Sequence, residues 1–185
     1  SETGLELWDS KECKVCKASE PVLRDTTVWH SLNGVRYDYH ADFYHLDGLV
    51  IVGDAKNPAG TTGVLANYSR RATITNADIR LVDVGIDCGG SRNRVIEVSD
   101  TSIRAVTPLR IHRGTAWEDT GFARFTDLRL TSTAAAPATL VELDPGTYGK
   151  GSPKIAAHHP ITFERFQRRP GATFRVFYRD QAPNS

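Results

Sequence analysis

Short β-type runs dominate the chain. Leu49-Val50-Ile51-Val52, Ala72-Thr73-Ile74-Thr75, Val95-Ile96-Glu97-Val98 and Phe174-Arg175-Val176-Phe177 are rich in β-branched and aromatic residues. Such residues suit a pleated, half-buried surface. Gly, Asn, Asp and Pro separate the runs, and these are the residues that close turns. Few stretches carry apolar residues at the i, i+3, i+4, i+7 positions of an amphipathic helix.

The runs recur with a register. Val28, Leu49, Ile79, Ile103 and Leu128 serve as anchors, spaced by 21, 30, 24 and 25 residues. Similar text surrounds them: His45-Leu46-Asp47-Gly48-Leu49, Thr75-Asn76-Ala77-Asp78-Ile79, Ser99-Asp100-Thr101-Ser102-Ile103 and Phe125-Thr126-Asp127-Leu128. A second apolar position follows each anchor, at Gly34-Val35, Gly63-Val64, Gly85-Ile86, Pro108-Leu109 and Leu140-Val141. Two of these are delayed by insertions, at residues 54–62 and 131–139.

A period of 20 to 30 residues with two or three short strands per unit is the signature of a solenoid, because one such unit cannot bury its own apolar face. The expected fold is all-β: a right-handed parallel β-helix of about five coils, with an irregular N-terminal segment and a C-terminal strand pair. An antiparallel sandwich also needs short strands and frequent turns, but it does not require one phrase to recur at a coil-like period. Residues 25–145 are assigned to the coils. Residues 1–24 are read as an expression remnant, Ser1-Glu2-Thr3-Gly4, followed by a cap or the remnant of a preceding coil. Residues 146–178 form a terminal coil or hairpin from Ile161-Thr162-Phe163 and residues 174–178. Residues 179–185 read as a linker or tail, as though other domains of a parent chain followed.

The phrases Arg71-Ala72-Thr73-Ile74-Thr75-Asn76-Ala77-Asp78-Ile79 and Asp83-Val84-Gly85-Ile86-Asp87 resemble the parallel β-helix repeats of the pectate-lyase-like superfamily. The resemblance covers roughly residues 25–144. More loosely, the chain resembles the β-helix of secreted or cell-surface hyaluronan-binding-type proteins. The resemblance implies a secreted or cell-surface location and a polysaccharide partner. It assigns a role to no individual residue.

Composition narrows the reading. The 185 residues are 39% apolar and 24% charged, as in ordinary folded domains. A net charge of +1, with acids and bases interspersed, gives no electrostatic case for nucleic acid or for an anionic membrane. No run of 18 apolar residues exists, so membrane insertion is not expected. Cys13 and Cys16 form a lone C-x-x-C with no second pair of ligands, so neither a metal nor a cofactor is expected. In an oxidising compartment a disulfide from Cys13 or Cys16 to Cys88 is the simpler reading, leaving one thiol over. Asn67-Tyr68-Ser69 is a glycosylation sequon. His158-His159 reads as a loop, and Asn76 and Asn93 as turn residues.

The densest polar and aromatic segment is residues 36–45. Aromatic rings stack on sugar faces, and flanking Arg, Asp and His bind hydroxyls or carboxylates. Trp29, Arg36, Tyr37, Tyr39 and Tyr44 are the expected substrate-binding residues. Asp38 and Asp42 are candidates for a hydrolytic carboxylate pair. His40 or His45, with Arg36, would serve the elimination of a uronate. Arg70, Arg71, Arg80, Arg92, Arg94, Arg104, Arg110 and Arg113 form either a basic stripe for an acidic polysaccharide or a set of pairs with Asp78, Asp83, Asp87, Glu97 and Asp100. The expected function is a non-catalytic extracellular module that binds or presents to polysaccharide. The alternative is a β-helix lyase or glycoside hydrolase acting on an acidic glycan.

Overall fold

The computed structural model describes residues 2–7, 21–38, 41, 43–66, 69, 71–88, 95–112, 122–135, 138–144 and 161–165. Every strand pair in it is parallel. Strand β1 spans Thr3–Leu7. The first full rung is β2 (Val22–Arg24), β3 (Thr27–Trp29) and β4 (Asn33–Tyr37). The second is β5 (Tyr44–Asp47), β6 (Val50–Val52) and β7 (Thr62–Ala66). In the third and fourth, the last two segments fuse: β8 (Arg71–Thr75) with β9 (Asp78–Cys88), then β10 (Val95–Ser99) with β11 (Ser102–His112). The fifth is β12 (Phe122–Thr126), β13 (Arg129–Ser132) and β14 (Val141–Asp144), and β15 (Ile161–Glu164) follows.

From the first rung to the fifth the chain makes about four turns of a parallel β-solenoid, which is the expected fold class with a slightly different coil count. Strands β2, β5, β8, β10, β12 and β15 form one six-stranded sheet, and the others form a nine-stranded sheet. Both insertions foreseen in the sequence leave the stack inside a rung, between β6 and β7 and between β13 and β14. Strand β1 pairs with β4, so Thr3 and Gly4 belong to the stack. Strand β15 pairs in parallel with β12 and begins a further rung. Its proposed partner, residues 174–178, lies outside the described residues. No helix among the described residues is long and apolar enough to cross a membrane.

The core is a set of inward columns. One runs Val28, Ile51, Ile79, Ile103, Leu130. A second runs Val35, Val64, Ile86, Leu109, Val141, matching the second apolar position of the repeat at every rung. A third, in the six-stranded sheet, runs Leu23, Leu46, Ile74, Val98, Phe125, Phe163, and its last two rings stack at 5.0 Å. Fully burying each such side chain stabilises by roughly 1.5–3 kcal/mol.

Two anchors shift. Leu49 and Leu128 are buried two residues before the inward strand position, which Ile51 and Leu130 occupy. Each follows a residue in the left-handed conformation. Asp25, Gly48, Asn76, Asp100 and Asp127, with φ from 50° to 73°, hold this place in successive rungs. The next residue, Thr26, Leu49, Ala77, Thr101 or Leu128, turns the corner. Side chains alternate with a period of two. A two-residue shift therefore keeps an apolar residue inside and leaves no trace in the polarity pattern.

Just before the second column, at Gly34, Gly63 and Gly85, neighbouring rungs approach closely. A Cβ on Gly34 would lie 2.6 Å from the Gly63 carbonyl oxygen. One on Gly63 would run into the Gly85 carbonyl oxygen and lie 2.6 Å from Ile79 Cγ2. Neither neighbour is a flexible chain end. Gly63→Ala is therefore expected to cost about 1–3 kcal/mol, the usual range for overpacking. Urea unfolding should show a lower midpoint with an unchanged slope, and an unchanged midpoint would contradict the packing described.

Candidate functional site

The rung geometry breaks up residues 36–45. Arg36 points outward from β4, half-buried, with its Nη2 3.7 Å from Asp38 Oδ2. Tyr37 points inward and is fully buried. Its hydroxyl donates to the Tyr44 carbonyl oxygen at 3.3 Å, and the two rings meet edge to face at 6.5 Å. Tyr37 is thus a core residue, and its ring face is closed to a ligand. Tyr44 is half-buried and packs on the same core. His45 lies on the outer face of β5, in the other sheet from Arg36. Trp29, on β3, is 66% exposed. Tyr39, His40 and Asp42 lie outside the described residues, as do Asn67, Cys13, Cys16, Asn93, His158, His159 and four of the arginines, Arg70, Arg92, Arg94 and Arg113. The structure brings Arg36 to Asp38 and Tyr37 to Tyr44, and it places Arg36 and His45 in different sheets.

Cys88 does not form the expected bridge. It is a free, buried thiol, in the column Ala66, Cys88, Ile111. Its Sγ lies 3.7 Å from the Arg110 carbonyl oxygen. Burial pushes this thiol well above its ordinary value, and the neighbouring Asp87 carboxylate adds to the effect. The thiolate is the reactive form. Cys88 should therefore resist iodoacetamide in the native protein and react only on unfolding, as peptide mass spectrometry would show; labelling under native conditions would contradict this burial.

Among the described residues a groove of about 220 Å³ lies on the outer face of the six-stranded sheet. It is lined by Thr73, Thr75, Glu97, Val98, Ser99, Arg124 and Thr126, from β8, β10 and β12. Strand alternation sets two outward columns here. One runs His45, Thr73, Glu97, Arg124, Thr162; the other runs Arg24, Asp47, Thr75, Ser99, Thr126, Glu164. Glu97 accepts from Arg71 Nη2 at 2.8 Å. The Arg124 guanidinium sits 5.5 Å from the centre of the Phe122 ring and 3.9 Å from Glu164.

A hydrogen-bonded chain ends the groove beside β5. The Thr75 hydroxyl donates to Asp47 Oδ1 at 2.9 Å. Its one proton is then spent, so it accepts from His45 Nε2, 2.8 Å away. His45 therefore carries a proton on Nε2. Asn76 Nδ2 also donates to Asp47 Oδ1, at 2.8 Å, and Arg24 Nε lies 3.5 Å from Oδ2. The Asn76 and Thr75 hydrogen bonds, with smaller help from His45 and Arg24, hold the Asp47 carboxyl below its ordinary value against the opposing effect of burial. Sequence reasoning named His45 and, as a charge partner, Glu97. It missed Asp47, Thr73, Thr75, Ser99, Arg124 and Thr126. Rung-by-rung alignment of every second residue would have placed them in common columns.

The expected arginine stripe divides between faces. Arg71 pairs with Glu97 in the six-stranded sheet. Arg110 lies between Glu142, 2.9 Å from its Nε, and Asp87, 3.6 Å from its Nη1, while His112 Nε2 is 2.8 Å from Asp87 Oδ1. These are the neutralising pairs. Arg80 and Arg104 stack in a different column, on the outer face of β9 and β11. Among the described residues no group of three or more His, Cys, Asp or Glu side chains is arranged to hold a metal ion.

Fold and surface together define a parallel β-solenoid with an open groove across one sheet. No protein-family model matches the chain, and no curated protein or solved structure matches it.

A carboxylate held low by hydrogen bonds stabilises the fold above its unfolded-state value, near about 3.9, and that contribution disappears as pH falls. Asp47→Asn should lower the urea midpoint at pH 7, and the gap from the native chain should close below pH about 4. A gap that persists or widens in acid would mean that Asp47 acts through packing and not through charge.

Proposed function

We propose that the chain is a non-catalytic extracellular binding module that holds a polysaccharide in the groove across β8, β10 and β12. The groove itself carries this reading. Its lining offers hydroxyls from Thr73, Thr75, Ser99 and Thr126, a carboxylate from Glu97 and a guanidinium from Arg124. Donors and acceptors so interspersed suit the hydroxyls of sugar rings, and a site on rigid strands keeps them in place. Of the nearby carboxylates, Asp47 is unsuited to acid chemistry. Glu97 is ion-paired to Arg71, and Asp47 is held ionised by its hydrogen bonds. A general acid needs a raised value instead.

One observation favours a second reading, a lyase or glycoside hydrolase acting on an acidic glycan. Asp47, Thr75 and His45 form an oriented chain at the groove's end, with the proton on Nε2. The lone pair on Nδ1 would then be the base that removes a proton α to a uronate carboxylate.

A panel of neutral and acidic polysaccharides, read by calorimetry and by assay for new reducing or unsaturated ends, separates the two. Binding without product is expected, weakened about tenfold, or about 1.4 kcal/mol, in Glu97→Gln and Arg124→Ala. Product formation abolished by His45→Ala would replace the first reading with the second. An absence of binding across the panel would overturn both.

A further inference from the structure

The outer face of β3, β6, β9, β11 and β13 carries a pattern that neither the core nor the groove explains. Its two outward columns are Trp29, Val52, Arg80, Arg104, Thr131 and Thr27, Val50, Asp78, Ser102, Arg129. Arg80, Arg104 and Arg129 are all exposed. One carboxylate faces these three guanidinium groups: Asp78, 3.7 Å from Arg80 Nη1. Among the described residues Arg104 and Arg129 enter no ion pair. This strip therefore concentrates an excess of positive charge on a chain whose net charge is only +1.

The arrangement opposes stability. Arg80 and Arg104 are in-register partners on adjacent strands, about 4.8 Å apart. Like charges directly opposite one another destabilise a sheet. No buried group requires a guanidinium at either place, since both side chains point to solvent. Elsewhere on the solenoid outward arginines meet carboxylates: Arg71 with Glu97, Arg110 with Asp87 and Glu142, and Arg124 with Glu164.

We infer that this face is a second binding site, distinct from the groove, for a linear acidic polysaccharide lying along the solenoid axis. Charge complementarity commits the occupant to a polyanion. Guanidinium forks bind carboxylate or sulfate in bidentate fashion, which an ammonium cannot do. A rung spacing of about 4.8 Å presents one cation per step on the scale of a single sugar ring. Trp29, 66% exposed at the end of the strip, beside Val50 and Val52, supplies an aromatic face for a sugar ring. A nucleic acid would draw on more cations than this narrow, flat strip and the nearly neutral chain provide.

The test uses the full chain and four probes: polygalacturonate, heparin, neutral dextran and single-stranded DNA. Affinity electrophoresis and calorimetry at several salt concentrations read the outcome. At least one acidic polysaccharide should bind, more weakly as salt rises, with no binding of dextran at this face. The triple variant Arg80→Gln, Arg104→Gln, Arg129→Gln should lose at least tenfold in affinity, and the salt slope should fall by about one unit per cation removed. The variant should unfold at no lower a urea concentration than the native chain, because its removed charges repel. Should the triple variant fold poorly, Arg104→Gln alone serves, with about a threefold loss expected. Trp29→Ala should weaken binding without changing the salt slope. Glu97→Gln and Arg124→Ala should leave this binding unaltered, so failure of the groove reading and failure of this one are distinguishable. A folded triple variant with native affinity for both acidic polymers, or tighter binding of DNA than of either, would overturn the inference.

Discussion

Everything in this solenoid depends on the corner that follows its six-stranded sheet, where one residue per rung is held in the left-handed conformation. Asp25, Gly48, Asn76, Asp100 and Asp127 occupy that position in five successive rungs. Gly and Asn adopt it at little cost, and Asp more readily than most other residues. The backbone N–H of each reaches the next rung: Asp25 to Asp47, Gly48 to Thr75, Asn76 to Ser99, Asp100 to Thr126 and Asp127 to Glu164, at 2.9 to 3.2 Å. The corner is therefore part of the hydrogen-bond ladder and not a gap in it. Because every rung turns at the equivalent residue, strands that are far apart in sequence fall into register above one another. Ile79 and Ile103 meet for that reason.

Register then fixes the fate of each side chain. A slip of one residue would turn every inward column to solvent, and no rung could offset that loss with a core of its own. The inward columns are consequently narrow in character: aliphatic along most of the nine-stranded sheet, with Tyr37 and Cys88 as exceptions, and aromatic where Phe125 and Phe163 close the other. The outward columns are under no such constraint. Hydroxyls, paired charges and unpaired arginines all occur there, and chemistry on this scaffold is to be sought in those columns.

The same logic explains what could be read from the chain beforehand. Gly34-Val35, Gly63-Val64, Gly85-Ile86, Pro108-Leu109 and Leu140-Val141 disclosed the second column in full, because a small or rigid residue precedes it at four of the five rungs. The first column was legible only at Val28, Ile79 and Ile103. At Leu49 and Leu128 an apolar corner residue imitates the strand position two residues on. The site was harder to see. Residues 36–45 look like a cluster because they are contiguous, but contiguity spreads residues around a rung. Thr73, Glu97 and Arg124 are 24 and 27 residues apart and share one column. The disulfide expectation failed for a related reason: Cys88 follows the alternation inward, in line with Ala66 and Ile111.

Charge gives the last discrimination between the faces. In the groove, Glu97 and Arg124 each have an opposite partner from the same sheet, so the surface is close to neutral and would recognise shape and hydroxyls. On β9, β11 and β13 three arginines share one carboxylate, and the surface would recognise charge. Exposed ion pairs are each worth little to stability, about 0–1 kcal/mol, so full pairing on most faces and its shortfall on one follow from no requirement of folding. Arg80 lies above Arg104, in register, at a position where the stack would accept a serine, a threonine or a carboxylate equally well. Thr131 and Val52 occupy the same column one rung to either side. The scaffold sets no demand for a guanidinium at either place, yet it carries two like charges in register on adjacent strands, and the proposed second site would account for them.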